Sequence, residues 1–489
     1  MKTNKILKWM SLMIIAALVT TTSCSKMMDH DFLSGVTDDR IAELMEQEPE
    51  RVLGFLAGAI STLGDYYSNH DAAHFMSLQL AGDLMTEDMI QHNTNWHYFD
   101  YDIRDGNNLG NYRRVTHTWN MMYAVISGVN QAIDFIDPET ENPIMLNTLG
   151  QSLALRAFCY HILVQRFQHA LTVNSEALGI PVILSTRDEL QGTMSRFERV
   201  PVGEVYEQIE ADLLRAIDLL GSARPSKDFI NKAVAQGFLA RVYMNMEKYP
   251  EAERLAAEAR ASFPIMDGAT AGSYGYNDET NSEWMWGLKT TAENTYMFAS
   301  FQSHIASDAA GYAGLGAFKS MDNRLYNQMG SADVRRNLHH MDPVEGVFYN
   351  LKFKDVNNWL MDNIYMRSSE MLLIQAEAQA RQNNGSGAAT TLMELMSKRD
   401  PNYSRTTATV EDIFLQKRLE CWGEGVIFYD YRRMARDVDR AYTEPLNTHS
   451  VQLQQKGTSW RVIYQIPHSE IDNNDNISNT DQNPGSGEL

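Results

Sequence analysis

The chain has 489 residues, enough for one large domain or two to three of ordinary size, and 44% of them are hydrophobic, which suffices for a sizeable core. A formal net charge of −21 excludes nucleic acid or anionic lipid as the main partner, because both require basic surface. A neutral ligand meets no such conflict.

The N-terminus reads as an address. Lys2, Lys5 and Lys8 precede a short apolar core, Trp9 to Val19, too short for a comfortable membrane span. Thr20-Thr21-Thr22-Ser23-Cys24 follows. Small residues before a single cysteine resemble a bacterial lipoprotein processing site, where Cys24 is lipidated and becomes the new N-terminus. Thr21 stands where such sites usually carry a large aliphatic residue, and the alternative is an ordinary secretory signal with an incidental cysteine. The chain divides on this reading into a signal peptide (1–23), a polar tether (24–40) and a single domain (41–489). No other stretch is long and apolar enough to span a bilayer.

Helical periodicity begins near Ile41 and runs through Leu53, Phe55, Leu56 and Ile60. Asp65 to Tyr101, with its aromatics among polar residues, reads as a long loop. Arg113 to Ile136 is a strong helix, with Trp119, Met122, Ile126, Val129 and Ile133 on one stripe and Asp137-Pro138 at its end. Gln151 to Phe167 is its antiparallel partner, and Gly179 to Leu184 an extended connection. Pro201 opens a further helix with Val205, Tyr206, Ile209, Leu213, Ile217 and Leu220 inward, stopped by Gly221.

Asn231 to Pro264 then forms a helical hairpin. Phe238, Leu239, Val242, Tyr243 and Met246 share a face, Pro250 suits the first turn of the second helix, and Ala252, Ala256 and Ala259 give a narrow contact face. The spacing of Ala240, Tyr243, Tyr249, Ala252, Ala259 and Pro264 matches a tetratricopeptide-type unit, which needs neighbours to bury its apolar side. From Ile265 to about Tyr365 the helical signal fades. Trp284-Met285-Trp286 suggests a strand whose two tryptophans are buried, and Gly311, Gly314 and Gly316 suggest loops, in a block rich in aromatics including Tyr274, Phe298 and Phe318. Helices resume at Met366 to Gln382, Ala388 to Lys398 and Val410 to Trp422, and Val462-Ile463-Tyr464 is strand-like. The expected fold is mainly α: helical hairpins over about 112–264 and 366–436 form a scaffold, and an irregular, loop-rich half over about 265–365 holds a few short strands.

Several blocks in this order resemble the SusD/RagB family of outer-membrane lipoproteins. They are Trp119, Tyr123, Ile126 and Asn130; Leu155 to Tyr160; Tyr206, Ile209, Asp212, Leu213, Ala216 and Leu220; Arg367, Glu370, Leu372, Leu373 and Ala376 to Ala378; Glu420, Glu424, Gly425, Asp430 and Arg433; and Ile466-Pro467 followed by Gln482 to Gly485. Gln416 and Ile427 depart from the family pattern, in a helical block that reads as scaffold. The resemblance implies a surface lipoprotein that sits as a lid on a SusC-like TonB-dependent transporter in the outer membrane. It implies capture of oligosaccharide for import; the alternative is capture of peptide, as in a RagB-like lid.

A sugar ring has an apolar face and a polar rim, so aromatic platforms flanked by amides and carboxylates suit it. The resemblance places such a platform on two segments. The first is the loop carrying Asn95, Trp96, Tyr98 and Tyr101. The second lies in the irregular block, around Tyr296 or Tyr312.

Catalysis finds no comparable signal. No G-x-S-x-G elbow is present, and 63 acidic residues single out no pair of carboxylates. His70 and His74 fall at helical spacing but lack the glutamate of H-E-x-x-H, and Asp472 to Asn476 reads as a solvated loop. No metal or cofactor is expected. Cys159 and Cys421 read as buried free thiols, since a chain this long needs no staple.

Overall fold

Apolar stripes at helical spacing build a run of helices, most of which pack on their neighbours along the chain. The computed structural model describes residues 45, 47–65, 73–91, 108–273, 275–308, 311–341, 348–354, 359–440 and 454–485. Helix α1 (Val52–Thr62) is followed by α2 (Phe75–Asp83), α3 (Arg113–Asp134), α4 (Pro143–Phe167), α5 (Val202–Leu219), α6 (Lys232–Asn245) and α7 (Tyr249–Arg260). Helix α1 packs on α3, α3 on α4, α4 on α5, α5 on α6 and α6 on α7. The irregular block holds the short α8 (Phe301–Ile305), and after the block come α9 (Ser368–Arg381), α10 (Gly385–Met396), α11 (Val410–Glu420) and α12 (Ile427–Arg433). Helix α9 packs back on α7, so the second helical group continues the first. From Glu50 onward the chain forms one compact unit. This is the mainly helical fold expected, with hairpins of the tetratricopeptide type.

The hairpin α6–α7 shows the logic. Asn231 caps α6 by accepting the Val234 N–H at 3.1 Å, and Glu247 makes the turn with φ 56°. Ala240, Ala252, Ala256 and Ala259 are fully buried, where small side chains let helices approach closely. Helix α4 starts at Pro143, earlier than the expected Gln151, because Asn142 accepts the Ile144 N–H at 2.9 Å and Pro143 fits the first turn.

Three family-block residues meet across α3, α4 and α5. Arg156 donates from Nε and Nη2 to the two oxygens of Asp212, each at 2.8 Å, and from Nη1 to Asn130 Oδ1 at 2.9 Å. Burial alone would lower this guanidinium's pKa, but Asp212 outweighs it and raises it.

Among the described residues the strands form four antiparallel pairs: β1 (Met89–Gln91) with β3 (Lys319–Met321), β2 (Trp284–Leu288) with β6 (Asn363–Arg367), β4 (His339–Met341) with β5 (Phe348–Asn350), and β7 (Val438–Asp439) with β8 (Gln454–Gln455). In the β2–β6 pair Trp284 faces Arg367 and Leu288 faces Asn363. Both Trp284 and Trp286 are buried, as expected, because each ring nitrogen finds a carbonyl: Trp284 Nε1 donates to Gly275 O and Trp286 Nε1 to Asp228 O, both at 2.9 Å.

Arg367 ends β6 in a fully buried ion cluster. Its Nη1 lies 2.8 Å from both Glu283 Oε1 and Glu420 Oε1, and its Nε lies 2.8 Å from Glu424 Oε2. Arg399 adds a second contact to Glu420 at 2.8 Å, and Lys352 pairs with Glu424. Burial would raise the Glu420 carboxyl, yet Arg399 and Arg367 hold it well below the usual carboxylate range. Gln416, a departure from the family pattern, serves the same cluster by accepting Arg335 Nη2 at 2.7 Å.

Three local expectations are corrected. The stretch read as a loop from Asp65 to Tyr101 contains α2 and β1; α2 is buried on every side and so lacks a polar face to reveal its period. Met366 belongs to β6, and α9 begins at Ser368. Residues 460–462 form a 3₁₀ turn in place of the expected strand start, and Tyr464 joins no ladder: its N–H donates to Arg166 O at 2.7 Å and its carbonyl accepts from Asn483 Nδ2 at 2.8 Å. Cys159 and Cys421 are buried free thiols.

Candidate functional site

The irregular block brings a small group of aromatic rings to the surface. Phe298 is 43% exposed, beside Met297 at 52%, with Leu315 at 59% in the same block. These are among the most exposed large apolar side chains described. The Phe298 ring lies 5.4 Å from Trp359, tilted by 43°, and 6.0 Å from Tyr312, nearly edge-on at 71°. Trp359 and Tyr312 are half-buried.

Local chemistry fixes each ring. Ser300 caps α8 by accepting the Ser303 N–H at 3.2 Å. Gly311 then passes so close to α8 that a Cβ there would sit 2.6 Å from Ser303 Cα. The Tyr312 N–H donates to Ser303 Oγ at 3.1 Å and the Ala313 N–H to Ser303 O at 2.8 Å. Gly316, with φ 115°, turns the chain away. Beneath Tyr312, the buried His304 ring stacks at 4.7 Å and 18°. On the other flank Met297 and Trp359 have φ of 48° and 74°, a region that bulky residues rarely occupy. Each such backbone costs on the order of 1–3 kcal/mol, and such strain clusters at ligand-binding sites.

A polar rim adjoins the rings. Tyr296 lines a small recess with Lys289, Thr290, Asn294 and Thr295 and with the buried Leu288, Phe301 and Gln302. Thr295 Oγ1 donates to Trp359 O at 2.8 Å, and the Thr291 N–H donates to Asn294 Oδ1 at 2.6 Å. Flat apolar faces beside hydroxyl and amide groups can hold a ligand that is itself apolar on its faces and polar at its edge.

The structure thus places Tyr312 in the ring group and Tyr296 in the adjoining recess. Asn95, Trp96, Tyr98, Tyr101 and Cys24 lie outside the described residues. Sequence reasoning missed Trp359 and did not select Phe298. A signal for Trp359 exists: Asn357-Asn358-Trp359 repeats the amide–tryptophan composition that singled out Asn95-Trp96. His74 stands at the N-terminal boundary of α2, buried, with its Nε2 accepting the Phe301 N–H at 3.0 Å; burial lowers its pKa to about 4. Among the described residues no group of histidine, cysteine and carboxylate side chains is arranged to hold a metal ion, and no helix is long and apolar enough to cross a membrane.

Comparison with known proteins gives the class. Residues 57–244 match a SusD-like family described as starch-binding and associating with the outer membrane, and residues 343–485 match the SusD family. The two spans together exceed half of the chain, which belongs to the SusD family. SusD-like protein P2 from Formosa agariphila is 30% identical over 139 residues, 28% of this chain and 25% of that protein. The chain therefore matches only about a quarter of that relative's length. Among solved structures, a SusD-like carbohydrate binding protein from Bacteroides vulgatus has a TM-score of 0.75 at 23% identity, covering 89% of this chain and 98% of that one. Surface glycan-binding protein A from Bacteroides thetaiotaomicron, in complex with laminarihexaose, has a TM-score of 0.63 at 16% identity, covering 89% of this chain and 99% of that one. At these identities the likeness establishes the fold.

Proposed function

We propose that this chain is a non-catalytic, cell-surface glycan-binding lipoprotein, anchored through Cys24, that captures oligosaccharide and delivers it to a SusC-like TonB-dependent transporter. The observation that carries the reading is the exposed Phe298–Tyr312–Trp359 group beside a rim of threonine and amide side chains. Sugar faces stack on the rings and hydroxyls meet the rim. Asn95, Trp96, Tyr98 and Tyr101 supply the other part of the platform in this reading. The helical side, including the α6–α7 hairpin, serves as scaffold and docks on the transporter.

The test is a calorimetric screen of soluble glycans and peptides on the mature protein, followed by Tyr312→Ala and Trp359→Ala. Each substitution is expected to weaken glycan binding by roughly 10-fold or more, as loss of a stacking anchor does. Unchanged binding by the folded variants removes this surface as the site, and binding of peptides with no glycan moves the protein to the RagB-like alternative. Trp96→Ala with Tyr98→Ala probes the second segment in the same assay.

A further inference from the structure

A cavity lies deep in the scaffold, where the second helical group meets the first. Its volume is about 50 Å³. That is far below the roughly 300–1,000 Å³ of pockets that take drug-sized ligands. Three side chains on its wall, each more than nine-tenths buried, carry a polar atom that no described residue meets: Gln165 Oε1 on α4, Asn245 Oδ1 on α6 and Tyr365 Oη on β6. The nitrogen ends of the two amides are engaged. Gln165 Nε2 donates to His161 O at 2.9 Å and Asn245 Nδ2 to Arg241 O at 3.0 Å. Their oxygens are left for the cavity. Three such atoms on one small wall are costly unless a further partner bonds them.

The charges on the wall are already matched. Arg241 pairs with Glu370 at 2.6 Å, Lys417 with Asp430 at 2.8 Å, and Arg433 with Glu377 and, at 2.8 Å, with Asp430. A charged guest would find no counter-ion there. Two acceptors and a hydroxyl call for a neutral guest that donates. At about 10–15 Å³ for each water, the space holds about three to five of them.

The wall also faces a way in. Met244 and Arg433 line both this cavity and a wider cleft of about 440 Å³ whose rim carries the exposed Glu247 and Glu411. We propose that the cavity is an internal hydration site, where a cluster of about three to five water molecules bonded to Gln165, Asn245 and Tyr365 joins the two helical groups and exchanges with solvent past Met244 and Arg433. The scaffold is then held by water-mediated bonds at the junction where direct packing is incomplete. The proposal stands independently of glycan capture.

A high-resolution crystal structure of the mature protein tests it, together with oxygen-17 relaxation dispersion, which counts long-lived waters in solution. Ordered waters are expected within hydrogen-bond distance of all three atoms. Tyr365→Phe and Gln165→Met, which keep shape and remove the polar atom, should each lower the count of long-lived waters by about one or more. Met244→Ala should shift the residence time of the cluster to shorter values. A dry cavity that takes up xenon under pressure overturns the proposal, as does an interior in which the three atoms bond protein groups directly. A solute larger than water bridging them overturns the assignment to water. An unchanged count in the folded Tyr365→Phe and Gln165→Met variants overturns the bonding set, and an unchanged residence time in Met244→Ala overturns the route.

Discussion

Trp286 and Trp359 show what separates the two halves of the molecule. Trp286 sits on β2 with its ring nitrogen bonded to a carbonyl, and packs edge-on against Phe158 at 4.9 Å, Phe238 at 5.1 Å and Tyr365 at 4.8 Å. Those partners come from α4, α6 and β6, so the ring locks the helical scaffold to the irregular block. Trp359 sits on a strained turn, half-buried, beside an exposed phenylalanine. Regular backbone with the indole N–H bonded to a carbonyl makes this aromatic ring a structural element. Irregular backbone, held from outside by side-chain hydroxyls, brings rings to the surface.

The comparison is broken most severely on the buried side. Trp286→Ala removes a ring from between three others and is expected to destabilise the fold by about 3–5 kcal/mol. Arg367→Met should act on a similar scale, about 3–5 kcal/mol, because it strands Glu283, Glu420 and Glu424 in the interior with less compensation. Urea denaturation at pH 7 measures both. The acid limb gives a second readout. Folding depresses Glu420 and Glu424 against the desolvation that would raise them. Their contribution is therefore complete above the unfolded carboxyl value and is lost as pH falls through the lower folded value. Arg367→Met should shift that loss to higher pH. An unchanged acid limb would show that the cluster does not couple folding to protonation.

Asp83 has the opposite sign. Burial pushes its carboxyl up to about 7, opposed by the Gly425 N–H at 2.9 Å and reinforced by Asp88 and Glu424. A raised folded value means stability that is complete below the unfolded value of 3.8 and is lost as pH rises through about 7. Asp83→Asn keeps an acceptor for Gly425 and carries no charge. It should stabilise by on the order of 2–4 kcal/mol at pH 8 and by little at pH 4. Equal effects at both values would argue for lost packing over relieved charge.

Much of the scaffold was legible because burial on one side leaves a periodic trace. The stripe through Trp119, Met122, Ile126 and Val129 and the alanines of α7 are such traces. Helix α2 left none, since all of its residues are buried and no polar face marks its period. Of the ion cluster, Arg367, Glu420 and Glu424 were legible only as members of separate family blocks; that Arg367 meets them and Glu283 depends on chain segments more than fifty residues apart. The site was harder still. Tyr296 and Tyr312 were reached only through the family resemblance, and Phe298 and Trp359 meet only because β2 and β6 pair and carry the following and preceding segments together. No periodicity in either segment encodes that approach.

The smallest expected stability effect sharpens the comparison most. Phe298→Ala removes a ring that is 43% exposed, tilted against Trp359 and edge-on to Tyr312. It should alter stability by less than about 1 kcal/mol, the range of surface substitutions away from caps and core. Glycan affinity should nevertheless fall by roughly 10-fold, because the ring joins the faces of Tyr312 and Trp359 into one surface. The pairing of outcomes decides the matter. Loss of affinity with a preserved denaturation midpoint assigns Phe298 to ligand capture. A loss of stability comparable to Trp286→Ala would instead make it a packing residue, and the exposed rings would then be the edge of the core.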